Sequence, residues 1–226
     1  MAQASEADQQ RIDSAVLAGA REVIRPLVLE HFTVNSCVAT VRITIDVLAY
    51  FGIMAKPAAV QTMIFNAEAA GLVRAGATAQ QIRDAVFACT EQQHGGPWTI
   101  GLGFGASEMD DAGGHVVVWV PSVATILDYS LDQASRPHKG IILEPLDIPV
   151  TDIDISHSEP LPVGFIFSTN VPQPEPFGAA YAEYRVAPDW FRSSPNWRRS
   201  SPSMASAPAT FKEIAGTAIR EIRKRL

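Results

Sequence analysis

His115-Val-Val-Val-Trp-Val120 and Thr125-Ile-Leu-Asp-Tyr-Ser130 alternate like two strands, joined by a turn centred on Pro121-Ser122. Folding the chain about that centre sets His115 opposite Asp128. Directly opposed residues of an antiparallel pair share a face, with Cβ atoms about 4.5–5.5 Å apart. A carboxylate there accepts a proton from an imidazole nitrogen and so fixes which tautomer the other nitrogen presents. A hairpin of this kind, carried into a run of further strands, defines the second half of the molecule.

Upstream of it the pattern is helical. Ile12, Val16, Ala20, Val23 and Leu27 recur at helical spacing across about 7–32, and Pro26 is expected to kink or end that helix. Val38, Val41, Ile45, Leu48, Tyr50 and Phe51 form a second apolar run that Gly52 should stop, with Asn35 or Ser36 as its N-cap. That reading puts Cys37 in the first turn of a helix, where the positive end of the helix dipole favours negative charge on sulfur. Val60 to Asn66 reads as a strand, Thr78 to Gln93 as a helix with Cys89 in its apolar stripe, Trp98 to Gly105 as a short strand, and Ile141 to Val150 as another. Beyond Thr151 the prolines at 160, 162, 172, 174 and 176 suit edge strands and extended connections. Pro188-Asp-Trp-Phe-Arg reads as the start of a short helix, 198–208 as a Ser/Pro-rich loop, and Ala209 to Leu226 as an amphipathic helix. Helices first and antiparallel strands after argue an α+β fold. The expected organisation is one catalytic domain over 1–184 and a basic extension over 185–226 whose terminal helix packs on the same domain.

Composition narrows the class. The chain has 226 residues, 47% of them hydrophobic and 19% charged, as in an ordinary globular protein able to bury a sizeable core. No apolar run is long enough to span a bilayer, and Met1 to Gln10 is polar and acidic, unlike a secretory signal. Two cysteines make no disulfide framework, so reduced thiols in a cytoplasmic setting are expected. His94, His115, His138 and His157 are scattered and no CxxC or HxxxH pair occurs, which gives no metal site; nothing calls for a cofactor. From Arg185 onward there are nine basic and three acidic side chains, against nine and twenty-one before it. A basic end on an acidic body is a poor footprint for nucleic acid, and it suits a solvated helix complementing that body.

Cys37, His115 and Asp128 together meet the needs of acyl transfer through sulfur: a nucleophile, a base that takes and returns its proton, and a carboxylate that orients the base. Gly113-Gly114 would allow close approach before the histidine. The Cys37 backbone N–H is a natural oxyanion donor, while Gln61, Asn66 and Asn35 stand as equal candidates for a second. Asp132 is the rival orienter, ranked below Asp128 because it lies outside the hairpin register. Trp119 reads as core or cleft wall.

A cysteine opening a helix, Gly113-Gly-His-Val-Val-Val-Trp-Val120 on a strand and Leu127-Asp-Tyr-Ser-Leu-Asp132 on the next resemble the papain-like superfamily, in its transglutaminase-like and arylamine N-acetyltransferase-like branch. The likeness covers about 34–130. It implies a helix-borne cysteine packed against an antiparallel sheet, with Cys37 as nucleophile, His115 as general base and acid, and Asp128 as orienter. The Arg-Gly-Gly lead-in of the acetyltransferases is replaced by Val34-Asn-Ser, and the His-Ala-Trp of many transglutaminase-like proteins by His-Val-Val. The implied function is therefore a chemistry class: a cysteine hydrolase, thiol protease or acyltransferase acting on an amide, ester or thioester of a small molecule or a peptide. The competing readings are a papain-like scaffold used without catalysis, docking a partner through its Pro-rich and basic C-terminal region, and a small-molecule binder in which Cys37 is simply buried.

Overall fold

A computed structural model describes residues 6–32, 36–89, 96–103, 114–150, 160–173, 179–189 and 210–226. The fold is α+β. Helix α1 spans Glu6–His31 and α2 Cys37–Tyr50; strand β1 runs over Lys56–Asn66, then α3 over Ala67–Arg74 and α4 over Ala79–Cys89. Strands β2 (Thr99–Leu102), β3 (His115–Val120), β4 (Thr125–Asp128), β5 (Leu146–Pro149), β6 (Ile166–Val171) and β7 (Ala180–Val186) follow, and α5 (Phe211–Arg223) closes the chain. The strands make one antiparallel sheet in the order β5-β4-β3-β1-β7-β6, with β2 on β1 beside β3.

Alternation along the strands divides the molecule into two cores. Val116, Val118, Val120, Leu127 and Tyr129 face a layer of helices built from α1, α2 and α5. Val60, Ile64, Val117, Trp119, Ile126 and Tyr184 face the other way, into a core that also gathers Ile148 of edge strand β5 and Phe167 of edge strand β6. Side chains from both edges meeting in one cluster mean that the sheet curls nearly closed around it.

Helix α1 does not end at Pro26. It continues to His31, with Val23, Ile24 and Val28 buried on both sides of the proline and the Phe32 N–H bonded to the Val28 carbonyl at 2.9 Å. The roughly 3 kcal/mol penalty of an interior proline is offset by burying that face, each large side chain contributing about 1.5–3 kcal/mol. Helix α2 is rich in β-branched residues, poor helix formers, and is held by burial of Val38, Val41, Ile43, Val47 and Leu48. Its threonines return their hydroxyls to the preceding turn: Thr40 donates to the Ser36 carbonyl at 3.0 Å and Thr44 to that of Thr40 at 2.8 Å. Gly52, at φ 77°, ends it as the periodicity requires, the Ile53 and Gly52 N–H groups bonding back to Leu48 and Ala49.

Strand β1 is longer than the Val60–Asn66 reading, β2 and β5 are shorter than theirs, and α3 was not foreseen; Asn66 starts α3 by accepting the Ala69 N–H at 3.0 Å. Prolines 160, 162 and 172 flank β6, an edge strand as expected, whereas β7 lies inside the sheet between β1 and β6. Pro188 and Asp189 are not helical; the rest of that segment, the 198–208 loop, the Cys89 side chain and Asn35 fall outside the described residues. Helix α5 begins with a capping box, Thr210 and Glu213 bonding each other's backbone N–H. It packs on α1 and α2: a Cβ on Gly19 would lie 3.2 Å from Ile222, and Phe211 stacks on Phe32 at 5.7 Å beneath the Arg42 guanidinium. Its basic residues are partly spent within the molecule, Arg225 on Glu22, Lys224 on Glu221 and Arg223 on the Tyr50 hydroxyl.

Candidate functional site

The β3–β4 hairpin is shifted by two residues from the expected register. Val118 pairs with Leu127, Trp119 with Ile126 and Val120 with Thr125. The connection is a 3-10 turn over Pro121–Val123, closed by Ala124 in the left-handed region at φ 45°, so it takes two more residues than a turn centred on Pro121-Ser122. A slip of two preserves the face on which each side chain points, since side chains alternate with period two. Asp128 therefore comes level with Val117, and His115 is its diagonal neighbour on the same face. An imidazole and a carboxylate span that diagonal: His115 Nε2 lies 2.8 Å from Asp128 Oδ2, and both residues are fully buried.

Asp128 is held from three sides. Its Oδ2 also accepts the Tyr184 hydroxyl at 3.0 Å, and its Oδ1 accepts the Ser130 N–H at 3.3 Å. Tyr184 reaches it from β7, across β1. Burial, then the charge and hydrogen bond of Asp128, push the Tyr184 phenol well above its ordinary pKa, so it acts here only as a donor. Thr62, opposite Tyr184 in the β1/β7 register, and Ser130 each bury a hydroxyl with no hydrogen-bond partner among the described residues.

His115 is the first residue of β3, at the strand end where the start of α2 comes alongside. Cys37, the first residue of α2, is half-buried and packs against the helical core, close enough to His115 for its sulfur to help raise the pKa of the ring. Burial alone would pull the imidazole's pKa down. The charge and hydrogen bond of Asp128, aided by those of Cys37, more than reverse this and push it up to about 10. The structure thus brings Cys37, His115 and Asp128 together around one ring.

Three further contacts were not read from the sequence. Gln133, on the 3-10 turn Leu131–Ala134 that follows β4, places its amide nitrogen 2.7 Å from His115 Nδ1. Arg25 of α1, buried, forks onto Asp132 through Nε at 2.7 Å and Nη2 at 3.0 Å, while its Nη1 donates to the Ser36 hydroxyl at 2.8 Å and to that of Thr40 at 3.1 Å. The rival carboxylate Asp132 therefore serves Arg25. Ser36 stands at the N-cap of α2 but does not cap it; its hydroxyl is engaged by Arg25, and no side chain of Ser36 competes for the first N–H groups of the helix. The third is Gly103, at φ 82°, where any Cβ would lie 3.0 Å from the Val60 carbonyl oxygen and 3.3 Å from the His115 nitrogen. Its glycine lets the chain leaving β2 pass against the start of β3.

Of the expected second oxyanion donors, Asn66 is committed elsewhere: its Oδ1 accepts from Ala69 and Trp98 and its Nδ2 donates to the Gly96 carbonyl. Gln61 alternates away from the face that His115 shares with its partner Val60. Trp119 is buried in the second core, its indole nitrogen without a partner among the described residues. Among those residues no cluster of His, Cys, Asp and Glu is placed to hold a metal, and no helix is long and apolar enough to cross a membrane.

No family model, no curated protein and no solved structure matches the chain.

Proposed function

We propose that this chain is a thiol enzyme of papain-like, transglutaminase-like type that transfers an acyl group from an amide, ester or thioester through Cys37. One observation carries the reading: a fully buried imidazole with Asp128 on Nε2 and the thiol of a helix-starting cysteine beside the same ring. The proton of the Cys37–His115 pair rests on the ring as sulfur attacks the acyl carbonyl, and the developing oxyanion is met by the Cys37 backbone N–H at the head of α2. The proton then goes to the leaving amine, alcohol or thiol as its bond to the acyl carbon breaks. Water or an amine, deprotonated by His115, releases the acyl group from sulfur. Asp128 keeps the ring oriented and supports its charge; by analogy with other triads it stays ionised throughout. Such chemistry needs a reduced thiol and fits a cytoplasmic setting.

The test is hydrolysis and aminolysis of a panel of activated esters and anilides. Cys37→Ala and His115→Ala should each cost about a thousandfold or more of any activity found, with thermal unfolding showing that both variants fold. Activity lost with Cys89→Ala but kept with Cys37→Ala would sink the proposal.

A further inference from the structure

We propose that Arg25 is a positioning residue for the thiol site: its guanidinium ties the head of α2 to the turn after β4, and so sets where the Cys37 sulfur stands against the His115 ring. The inference rests on the thiol-enzyme reading and deepens it. Sulfur and ring are carried by different elements, Cys37 by α2 and His115 by β3. What holds α2 in place is apolar burial, through Val38, Val41, Ile43, Val47 and Leu48. Such burial is non-directional, so it resists separation better than it resists a slide or a turn of the helix about its own axis. A reacting pair needs placement to within about 0.5 Å.

Arg25 supplies the missing direction. It is buried on α1, and its Nη1 donates to the Ser36 hydroxyl at 2.8 Å and to that of Thr40 at 3.1 Å. Those two residues stand about one helical turn apart and bracket Cys37 in the chain, so holding both fixes the rotation and the height of the first turn of α2. On its other side the fork closes on Asp132, through Nε at 2.7 Å and Nη2 at 3.0 Å. The next residue, Gln133, sets its amide nitrogen 2.7 Å from His115 Nδ1. One guanidinium thus joins the chain neighbour of the thiol to the chain neighbour of a group that touches the ring.

The residue type matters. A guanidinium presents its donors in a rigid planar fork, whereas an ammonium is a point charge on a flexible stem. Only the fork can hold a carboxylate by two bonds and two hydroxyls by a third nitrogen at fixed angles. The bond to Ser36 also keeps that hydroxyl on Arg25 and off the first N–H groups of α2.

The experiment is the rate of iodoacetamide labelling at Cys37 near neutral pH, read by mass spectrometry on the full chain, with thermal unfolding run alongside. His115→Ala defines the share of the rate that depends on the ring. Ser36→Ala with Thr40→Val frees the head of α2 and leaves the guanidinium paired with Asp132, so no buried charge is stranded. That double variant should stay folded and lose most of the His115-dependent rate. Thr40→Ser in place of Thr40→Val returns one hydroxyl and should recover part of it; Ser36→Ala alone, the mildest change, should show a smaller loss of the same kind. Arg25→Lys, which keeps the charge and gives up the fork, should lose as large a share as the double variant. In a His115→Ala background none of these changes should alter the rate, whereas a side chain that only stabilises the fold would act alike in both backgrounds. Equal losses with and without His115, or folded variants that label as fast as the unaltered chain, overturn the positioning role alone. A His115→Ala rate identical to that of the unaltered chain overturns the thiol-enzyme reading, and the positioning role with it.

Discussion

Two buried charged clusters, one around Arg25 and one around His115, are joined through the chain neighbours Ser36–Cys37 and Asp132–Gln133, and they are built differently. Arg25 carries a permanent charge and meets a bidentate carboxylate and two hydroxyls. His115 carries a charge that comes and goes. Its partners are a carboxylate on Nε2 that holds the ring protonated and an amide on Nδ1. The first cluster holds three elements in register: α1, the start of α2, and the turn after β4. The second sits between those same elements and changes state. A titrating group is useful only where its surroundings do not rearrange when it titrates, and the permanent ion pair next door supplies that stiffness.

The largest expected effect tests the stiff cluster. Arg25→Met should lower stability by about 3 kcal/mol, since Asp132, Ser36 and Thr40 lose their common partner. For a chain of this size that is a fall of about 6–12 °C in Tm, and the labelling rate of Cys37 should fall with it. Unchanged reactivity would separate the two clusters.

A second measurement tests the titrating cluster through stability. The His115 pKa is raised from about 6.5 in the unfolded chain to about 10 in the folded one, after Asp128 and Cys37 overcome the opposing effect of burial. Between those values the folded state keeps a proton that the unfolded state has released, so raising the pH favours unfolding. The contribution is complete below about pH 6.5 and gone above about pH 10. Denaturant unfolding over that window should show it in the unaltered chain and not in His115→Asn, whereas the Arg25 contribution should be flat. An equal slope in both proteins would break the contrast.

The smallest effect concerns Tyr184. Removing its hydroxyl in Tyr184→Phe should cost about 1–2 kcal/mol, since Asp128 keeps two other donors. Its signature is a modest downward shift in the pH of thiol reactivity, as an Asp128 relieved of one donor accepts more strongly from His115 and holds the imidazolium more firmly. A shift as large as that of His115→Ala would place Tyr184 in the relay itself.

Much of this was legible in the sequence because it is local. Helical periodicity with Gly52 behind it located α2 and placed Cys37 at its head; strand alternation put His115 and Asp128 on one face. The hairpin was misread by two residues, since Ala124 takes a left-handed conformation that its residue type does not advertise. That error left the pair intact only because two is the period of a strand. Pro26 does not end α1, because its local penalty is outweighed by burial that draws in part on α5, far along the chain. Arg25 and Asp132 are 107 positions apart, and Tyr184 is 56 from Asp128. Neither pairing has a local pattern, so neither was visible. Gln133 had no signal at all, one amide in a short turn, until the fold set it against the ring.

Strand β1 shares one of its edges between two partners. Its outer half takes β2, from Thr62 to Phe65, and its inner half takes β3, from Lys56 to Val60. The chain leaves this edge after β2, with Gly103 pressed against the Val60 carbonyl, and rejoins it at His115, so departure and return fall within a few residues of each other on β1. The sheet therefore contains a natural splice point, and it opens at the catalytic candidate. Both flanks of that interval are fixed by β1, Leu102 opposite Thr62 and His115 opposite Val60. The imidazole thus takes its place from the pairing of His115 with Val60 rather than from the chain that precedes it.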